Sequence, residues 1–332
     1  MTTNRLHRLQ KLALKREFRR NSSAKYVLEA SPLCTPCGPN KLATLLKMSI
    51  EEVRSVAKSP TYNCFSEISQ KPGKEPRHIQ EPIGLTLRLH YQFAKLLDRI
   101  VRPVFLHSAT KKRSHVTNAA AHLGSDSVVC TDIKKFYENT TRAHVKAFLI
   151  QELGWPIDLA GMMANALTVD GHLPTGSAVS PLLSYFTHRK LFAEIEKICL
   201  AKGCTVTLFI DDITVSGKHA TKALLGQIKQ VLLRSGLTAH KDRSAPAGSA
   251  VVITGAVRED TKLRLRNMHR KSIVDLLKQF EGGDRTIQES LGSKIAAAKC
   301  VDAIGTAPFE RKFLELDKCA VGKNDFCLNP SH

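Results

Sequence analysis

The sequence contains no apolar run approaching the roughly 20 residues that a membrane-spanning helix needs. No h-region resembling a signal peptide follows Met1. A membrane-embedded or exported protein is therefore unexpected, and the reading is of a protein at work in a cytoplasm. There is no internal repeat and no low-complexity tract, and the last residues, CLNPSH, are expected to fray. Acidic residues are scarce: 30 Asp and Glu stand against 50 Lys and Arg, for a net charge of +20 over 332 residues. Such an excess favours a polyanionic partner, and with no membrane segment that partner is expected to be nucleic acid. Nine cysteines, an odd number at irregular spacing, do not form a disulfide framework and are expected to be reduced thiols. Cys34 and Cys37 form a CxxC, but no second CxxC or HxxxH completes a zinc site, so a loop is expected there.

What is present is a chain with 42% hydrophobic residues, enough for a real core. Its length suits about two domains of roughly 150 residues. Residues 5–20 (RLHRLQKLALKREFRR) read as a basic amphipathic helix. A second helix is expected over 41–59, where Ser-Ile-Glu-Glu suits a helix N-terminus. Residues 70–82 read as a loop or hairpin, and helical periodicity returns at 84–101. The middle alternates: a strand at 127–133, helix near 141–153, a Gly/Pro loop at 171–181 and a helix to about 201. Two β-rich runs follow, 204–210 and 213–217, then a helix at 219–234 and a strand at 249–257. This order implies an α+β fold, a split antiparallel sheet with helices on one face. From about 258 the chain reads as helical and basic. The boundaries expected are an N-terminal helical extension over 1–60, a central domain over 61–257 and a C-terminal region over 258–332.

One stretch, LFIDDITVSG at 208–217, sets two carboxylates side by side in a run that otherwise looks like buried strand. Burying an unpaired carboxylate costs several kcal/mol, comparable to the whole margin of a domain's stability. Adjacent residues on a strand point to opposite faces, so Asp211 and Asp212 can cooperate only at a hairpin turn. A third acid, Asp132, lies where the 127–133 strand gives way to loop. An antiparallel sheet can bring it beside Asp211. Three converging carboxylates suit hard divalent cations, Mg²⁺ above all. Two such ions about 3.5–4 Å apart stabilise both the attacking and leaving oxygens of a phosphoryl transfer. A basic protein that gathers acids in its sheet is best read as holding nucleic acid and performing metal chemistry on it.

The flanks carry a resemblance. FIDD (209–212) looks like the YxDD box of the reverse transcriptases, TDIKKFY (131–137) like their first palm motif, and LPTGSAVSP (173–181) like their LPQGxxxSP loop. GKEPRHIQEP (73–82) is similar to the fingers motif. Asn118-Ala-Ala-Ala-His122 and Ile253-Thr254-Gly255 resemble the NAxxH and VTG elements of the bacterial retron enzymes. The motifs occur in family order over about residues 40–260.

The resemblance implies a right-hand polymerase with fingers and palm over 61–257 and a small helical thumb from 258. It implies catalytic Asp132, Asp211 and Asp212, and a metal set of Asp132, Ile133, Asp211 and Asp212. A dNTP would meet Arg77, Lys74, Gly176 and Tyr137, the last as a steric gate against ribose, with Phe136 as its buried neighbour or the gate itself. For Asn118 and His122 the resemblance implies either RNA binding or bracing of the palm. Arg264, Arg266, Arg270 and Lys271 would contact RNA from the thumb.

The implied activity is RNA-directed DNA synthesis with two Mg²⁺ ions. The template would be a cognate structured RNA, primed from its own 2′-hydroxyl, and the product a branched RNA–DNA molecule. Further implied partners are dNTPs, a separate effector protein in an anti-phage unit, and a host RNase H, since little room remains after about 310 for such a domain. The alternatives are another defence-associated or group II intron-like reverse transcriptase, or a vestigial RNA-binding scaffold. Three departures stand out: Phe209 for the box's Tyr, Thr175 for the loop's Gln, and GLTAHKDRS (236–244) for GFxxNxxKT, with His240 for Asn and Arg243 for Lys.

Overall fold

The computed structural model describes residues 10–12, 14, 25–34, 38–68, 75–124 and 126–324. Of the expected N-terminal helix, residues 10–12 and 14 are helical and the rest lies outside the described residues, as does Cys37 of the CxxC.

The expected 41–59 helix is two. Helix α1 (Pro39–Leu46) starts on a proline in its first turn, where a missing N–H costs nothing. It stops at Lys47, whose backbone is left-handed. Helix α2 (Ile50–Lys58) then begins at the Ser-Ile-Glu-Glu signal: Ser49 accepts from the Glu52 N–H while the Glu52 carboxylate accepts from the Ser49 N–H. The signal is correct; it marks an interior restart. Strands β1 (Tyr62–Glu67) and β2 (Arg77–Pro82) pair antiparallel, so within the 70–82 stretch residues 77–82 are one arm of a hairpin. Helix α3 (Gly84–Asp98) buries eleven of its fifteen residues, polar His90 and Gln92 among them.

After helix α4 (His115–Ala120) come strand β3 (Ser127–Ile133), the single turn α5 (Phe136–Asn139), and helices α6 (Arg142–Gln151) and α7 (Ile157–Leu167). The helix expected up to about 201 is broken at His188 into α8 (Ser180–Thr187) and α9 (Arg189–Leu200). Strands β4 (Thr205–Phe209) and β5 (Asp212–Gly217) form the expected hairpin, followed by helix α10 (Lys222–Arg234).

Strand β6 (Ala239–Ala245) was not anticipated, and it supplies the fourth strand of the main sheet, whose order is β4-β5-β3-β6. The stretch expected as one strand at 249–257 is instead a hairpin of β7 (Val251–Ile253) and β8 (Ala256–Glu259), extended by β9 (Lys262–Leu265) into a separate three-stranded sheet. Helical structure therefore begins at Asn267, not 258, with α11 (Asn267–Glu281), α12 (Gln288–Val301) and α13 (Ala303–Asn324). The α+β class with antiparallel sheets stands.

Two compact units are present, Met1–Lys111 with Asp132–Ile198 and Gly226–Lys241, and Lys112–Thr131 with Cys199–Leu225 and Asp242–His332. The boundary between Thr131 and Asp132 falls inside β3. In the second unit, Ala119, Val128, Cys130, Ala245, Val251, Ile253 and Ala256 form one apolar core, and α11–α13 enclose another around Phe280 and Leu291. No helix among the described residues is long and apolar enough to cross a membrane.

Candidate active site

The β4–β5 hairpin pairs Phe209 with Asp212, leaving Ile210 and Asp211 as a two-residue turn. Ile210 has φ +59°, left-handed backbone that a β-branched side chain rarely adopts. Two-residue turns with positive φ at the first position ordinarily place glycine there. The strained turn carries Asp211 and hands the chain to Asp212, the first residue of β5. Asp132 stands at the penultimate position of β3, the strand beside β5 in the sheet. The three acids each offer a carboxylate oxygen, and these oxygens lie within 4.8 Å of one another. All three residues are half-buried, open enough for a ligand to reach. Among the described residues this is the one His/Cys/Asp/Glu cluster able to hold a metal ion. An all-carboxylate donor set suits Mg²⁺ and offers nothing to a soft metal.

Like charges this close repel, and Lys241 and Arg243 of β6 offset them. His240 Nε2 lies 2.5 Å and Lys241 Nζ 3.2 Å from the Asp132 carboxylate. Arg243 reaches within 3.7 Å of Asp212. Thr131 donates to Asp242 at 2.7 Å, tying β3 to β6 immediately before Asp132. In the sequence His240 and Arg243 stand out only as departures from a motif, and Lys241 does not stand out at all. Their role was hidden because AHKDRSA has no apolar alternation by which to read it as a strand. Ile133 is wholly buried with a hydrocarbon side chain, so only its main chain could serve a metal.

The 173–181 loop lies against β2. The Gly176 N–H donates to Gln80 O at 3.1 Å. A Cβ on residue 176 would sit 2.8 Å from Gln80 O and 3.1 Å from Glu81 Cα, which explains the glycine. The close approach seen here is to β2. Thr175 donates its hydroxyl to His78 O at 2.8 Å and accepts from the Gln80 N–H at 3.2 Å. Arg77 is exposed at the start of β2, opposite Glu67. Lys74 lies outside the described residues. Tyr137 is half-buried and stacks on Phe136, whose ring is buried against His188 and Phe192. Phe136 is thus the core neighbour and Tyr137 the ring that remains accessible. His188 is held neutral, burial pushing its pKa down to about 3, with His144 adding to the effect.

Asn118 and His122 are completely buried, and their side chains are engaged within the protein. His122 Nδ1 is 2.6 Å from Ser216 Oγ and Nε2 is 2.7 Å from Thr207 Oγ1, joining β5 to β4 through one ring. Asn118 Nδ2 donates to Thr254 Oγ1 at 3.4 Å, and Thr254 donates to His115 O at 2.8 Å. Thr254 and Gly255 form the β7–β8 turn with φ +42° and +94°, the type I′ pattern. Two motifs far apart in sequence are therefore one contact. In the C-terminal region Arg264 and Arg270 both face the buried Asp302, at 3.6 Å each. Asp302 also caps α13 through the Gly305 N–H at 2.9 Å. Both arginines keep part of their side chains exposed, Arg266 is half-buried and Lys271 is exposed.

No protein-family model matches the chain. Individual reverse transcriptases do, and they are of the retron type. The retron Se72 enzyme of Salmonella heidelberg is 27% identical over 169 residues, 49% of this chain and 43% of that protein. The retron Ec86 enzyme of Escherichia coli is 22% identical over 234 residues, 68% of this chain and 73% of its own. The retron Mx162 enzyme of Myxococcus xanthus is 23% identical over 252 residues, 65% and 52% respectively. The match to the first of these spans less than half of its length. Among solved structures, the telomerase of Candida albicans in complex with a telomeric RNA fragment superposes with a TM-score of 0.45 at 11% identity, over 80% of this chain and 58% of that one. The sequence matches to the retron enzymes bear out the resemblance drawn from the motifs: the chain is similar to the retron reverse transcriptases.

Proposed function

We propose that the protein is an RNA-directed DNA polymerase of the retron type, with fingers and palm over 61–257 and a thumb from 258. The observation that carries this reading is the convergence of Asp132, Asp211 and Asp212 on one spot. Asp132 and Asp211 would hold two Mg²⁺ ions, with Asp212 beside them and the main chain of Ile133 within reach of the set. Two such ions supply activation of an attacking hydroxyl and neutralise charge on departing phosphate oxygens. The residues of the chain do the rest. Arg77 is suited to grip a triphosphate through paired guanidinium contacts, assisted by Lys74. Tyr137 presents an accessible ring that would collide with a ribose 2′-hydroxyl. Gly176 keeps the loop's backbone low against β2. Lys241 and Arg243 offset part of the carboxylates' mutual repulsion, and His240 packs against Asp132.

In the reaction a primer hydroxyl attacks the α-phosphorus of a dNTP, a P–O bond forms and pyrophosphate leaves. The relatives' type suggests a cognate structured RNA as both template and, through a 2′-hydroxyl, primer, giving branched multicopy single-stranded DNA in the cytoplasm. A host RNase H would trim the template, and a partner effector would complete an anti-phage unit. Arg264, Arg266, Arg270 and Lys271 are suited to RNA phosphates. The test is purified protein with the structured RNA encoded beside its gene, labelled dNTPs and Mg²⁺. Wild type should give labelled cDNA covalently joined to RNA. Undiminished product from Asp211→Ala combined with Asp212→Ala, or none from wild type, refutes the reading.

A further inference from the structure

We propose that His90 is a positioning residue for nucleotide selection: it fixes the 173–181 loop, through Ser177, in the place from which that loop meets an incoming nucleotide. The proposal rests on the polymerase reading above. His90 lies on α3 with none of its surface exposed. Its Nε2 is 2.9 Å from Ala166 O, and a carbonyl only accepts, so Nε2 carries the hydrogen. Burial disfavours the charged ring and holds the pKa down to about 4, so the imidazole is neutral and Nδ1 is a bare acceptor. Ser177 Oγ lies 2.6 Å from that Nδ1, so the hydroxyl donates to the ring. Its lone pairs are left to accept from the Val179 N–H at 3.3 Å. Every proton in this chain of contacts has one assignment.

Two residues earlier, Thr175 and Gly176 fasten the same loop to β2 by three hydrogen bonds. Three residues later, Ser180 donates to Pro174 O at 2.6 Å and closes the loop on itself. The loop is thus held on one side by β2 and from the core by His90. A purely apolar residue would fill the space on α3 without the cost of burying two ring nitrogens. What the imidazole adds is a donor for the end of α7 and an acceptor for the loop, a combination that sets one loop conformation before any nucleotide arrives.

Two substitutions separate positioning from packing. Asn places its amide oxygen where Nδ1 stands and can accept from Ser177, while losing Ala166. Gln reaches the Nε2 position and can donate to Ala166 O, while losing Ser177. The assay is single-nucleotide extension of an annealed DNA primer on an RNA template by the full chain with Mg²⁺, with thermal melts of each variant. His90→Gln and Ser177→Ala should each raise KM for dNTP about tenfold, the scale of one buried hydrogen bond, with kcat within about twofold. His90→Asn should keep the wild-type KM despite its larger loss of volume. Wild-type KM in both His90→Gln and Ser177→Ala overturns the proposal, as does a KM rise in His90→Asn equal to that in His90→Gln. Ser177→Ala removes one atom and carries the test where a His90 variant does not fold. Absence of incorporation by the wild type removes the polymerase reading and the proposal together, whereas wild-type extension with unmoved KM in the variants removes the proposal alone.

Discussion

His122→Ala is the perturbation whose cost can be worked most directly. The ring makes two hydrogen bonds, to Ser216 at 2.6 Å and Thr207 at 2.7 Å, in a place with no solvent. Either neutral tautomer is served, because each hydroxyl can donate or accept. Ser216 and Thr207 are themselves buried, at 1% and 2% exposure, so water cannot replace the ring without a cavity to hold it. The hydroxyl stranded at Thr207 costs about 1–3 kcal/mol, and the bond lost at Ser216 about 0.5–1.5 kcal/mol. The vacated ring adds a packing loss of about 1–2 kcal/mol, smaller than for an aromatic deleted from a hydrocarbon core. A total near 4 kcal/mol is a large share of the roughly 5–15 kcal/mol that holds a domain folded. Urea unfolding followed by circular dichroism measures it. His122→Gln, which can keep one bond, should fall between wild type and alanine. A loss below about 1 kcal/mol for alanine would refute the bracing role and would require that the hydroxyls find other partners.

Gly176→Ala should push the 173–181 loop off β2, because the atoms a Cβ meets are backbone; we expect about 1–3 kcal/mol lost in thermal or urea unfolding and a raised KM for dNTP. Stability should also fall with acidification. His90 and His188 are held to about 4 and about 3 in the folded chain against 6.5 when unfolded, so the unfolded state takes up protons first. Their contribution is present above pH 6.5 and is lost as pH falls toward 4, roughly 3 kcal/mol for His90 alone. Melting temperatures from pH 7 to 4 test this, and a flat profile contradicts it. Mg²⁺ should raise the wild-type melting temperature and leave that of Asp132→Asn with Asp211→Asn unchanged; equal shifts would mean the ion binds elsewhere. Affinity for duplex RNA should drop steeply from 50 to 200 mM salt, measured by filter binding, and a shallow slope would contradict phosphate-dominated contact.

Much of the site was legible because its chemistry is local. The Asp-Asp pair had to sit at a turn, and Ile210–Asp211 is that turn. Ser49 and Glu52 announced a helix start and made one. What escaped did so for physical reasons. Strand β6 lies at a sheet edge, where polar and charged residues are favoured and alternation disappears. Strand β9, KLRL, is four residues long and borders a helix, so basic helical periodicity ran across the boundary. The break at Lys47 depends on a left-handed lysine, which no composition rule foretells. The burial of Asn118 and His122 comes from partners about 90 to 140 positions away, information a linear reading does not hold.

The bond from Asn118 to Thr254 spans 136 positions and supports a β-branched residue in left-handed backbone. Neither end makes sense alone. Transplanting the Asn-bearing helix into a related enzyme without its hairpin would strand an amide in the dark, and moving the hairpin alone would leave its tight bend unsupported. The two segments should therefore be exchanged as a pair in any chimera, and in evolution a change at one should be answered at the other.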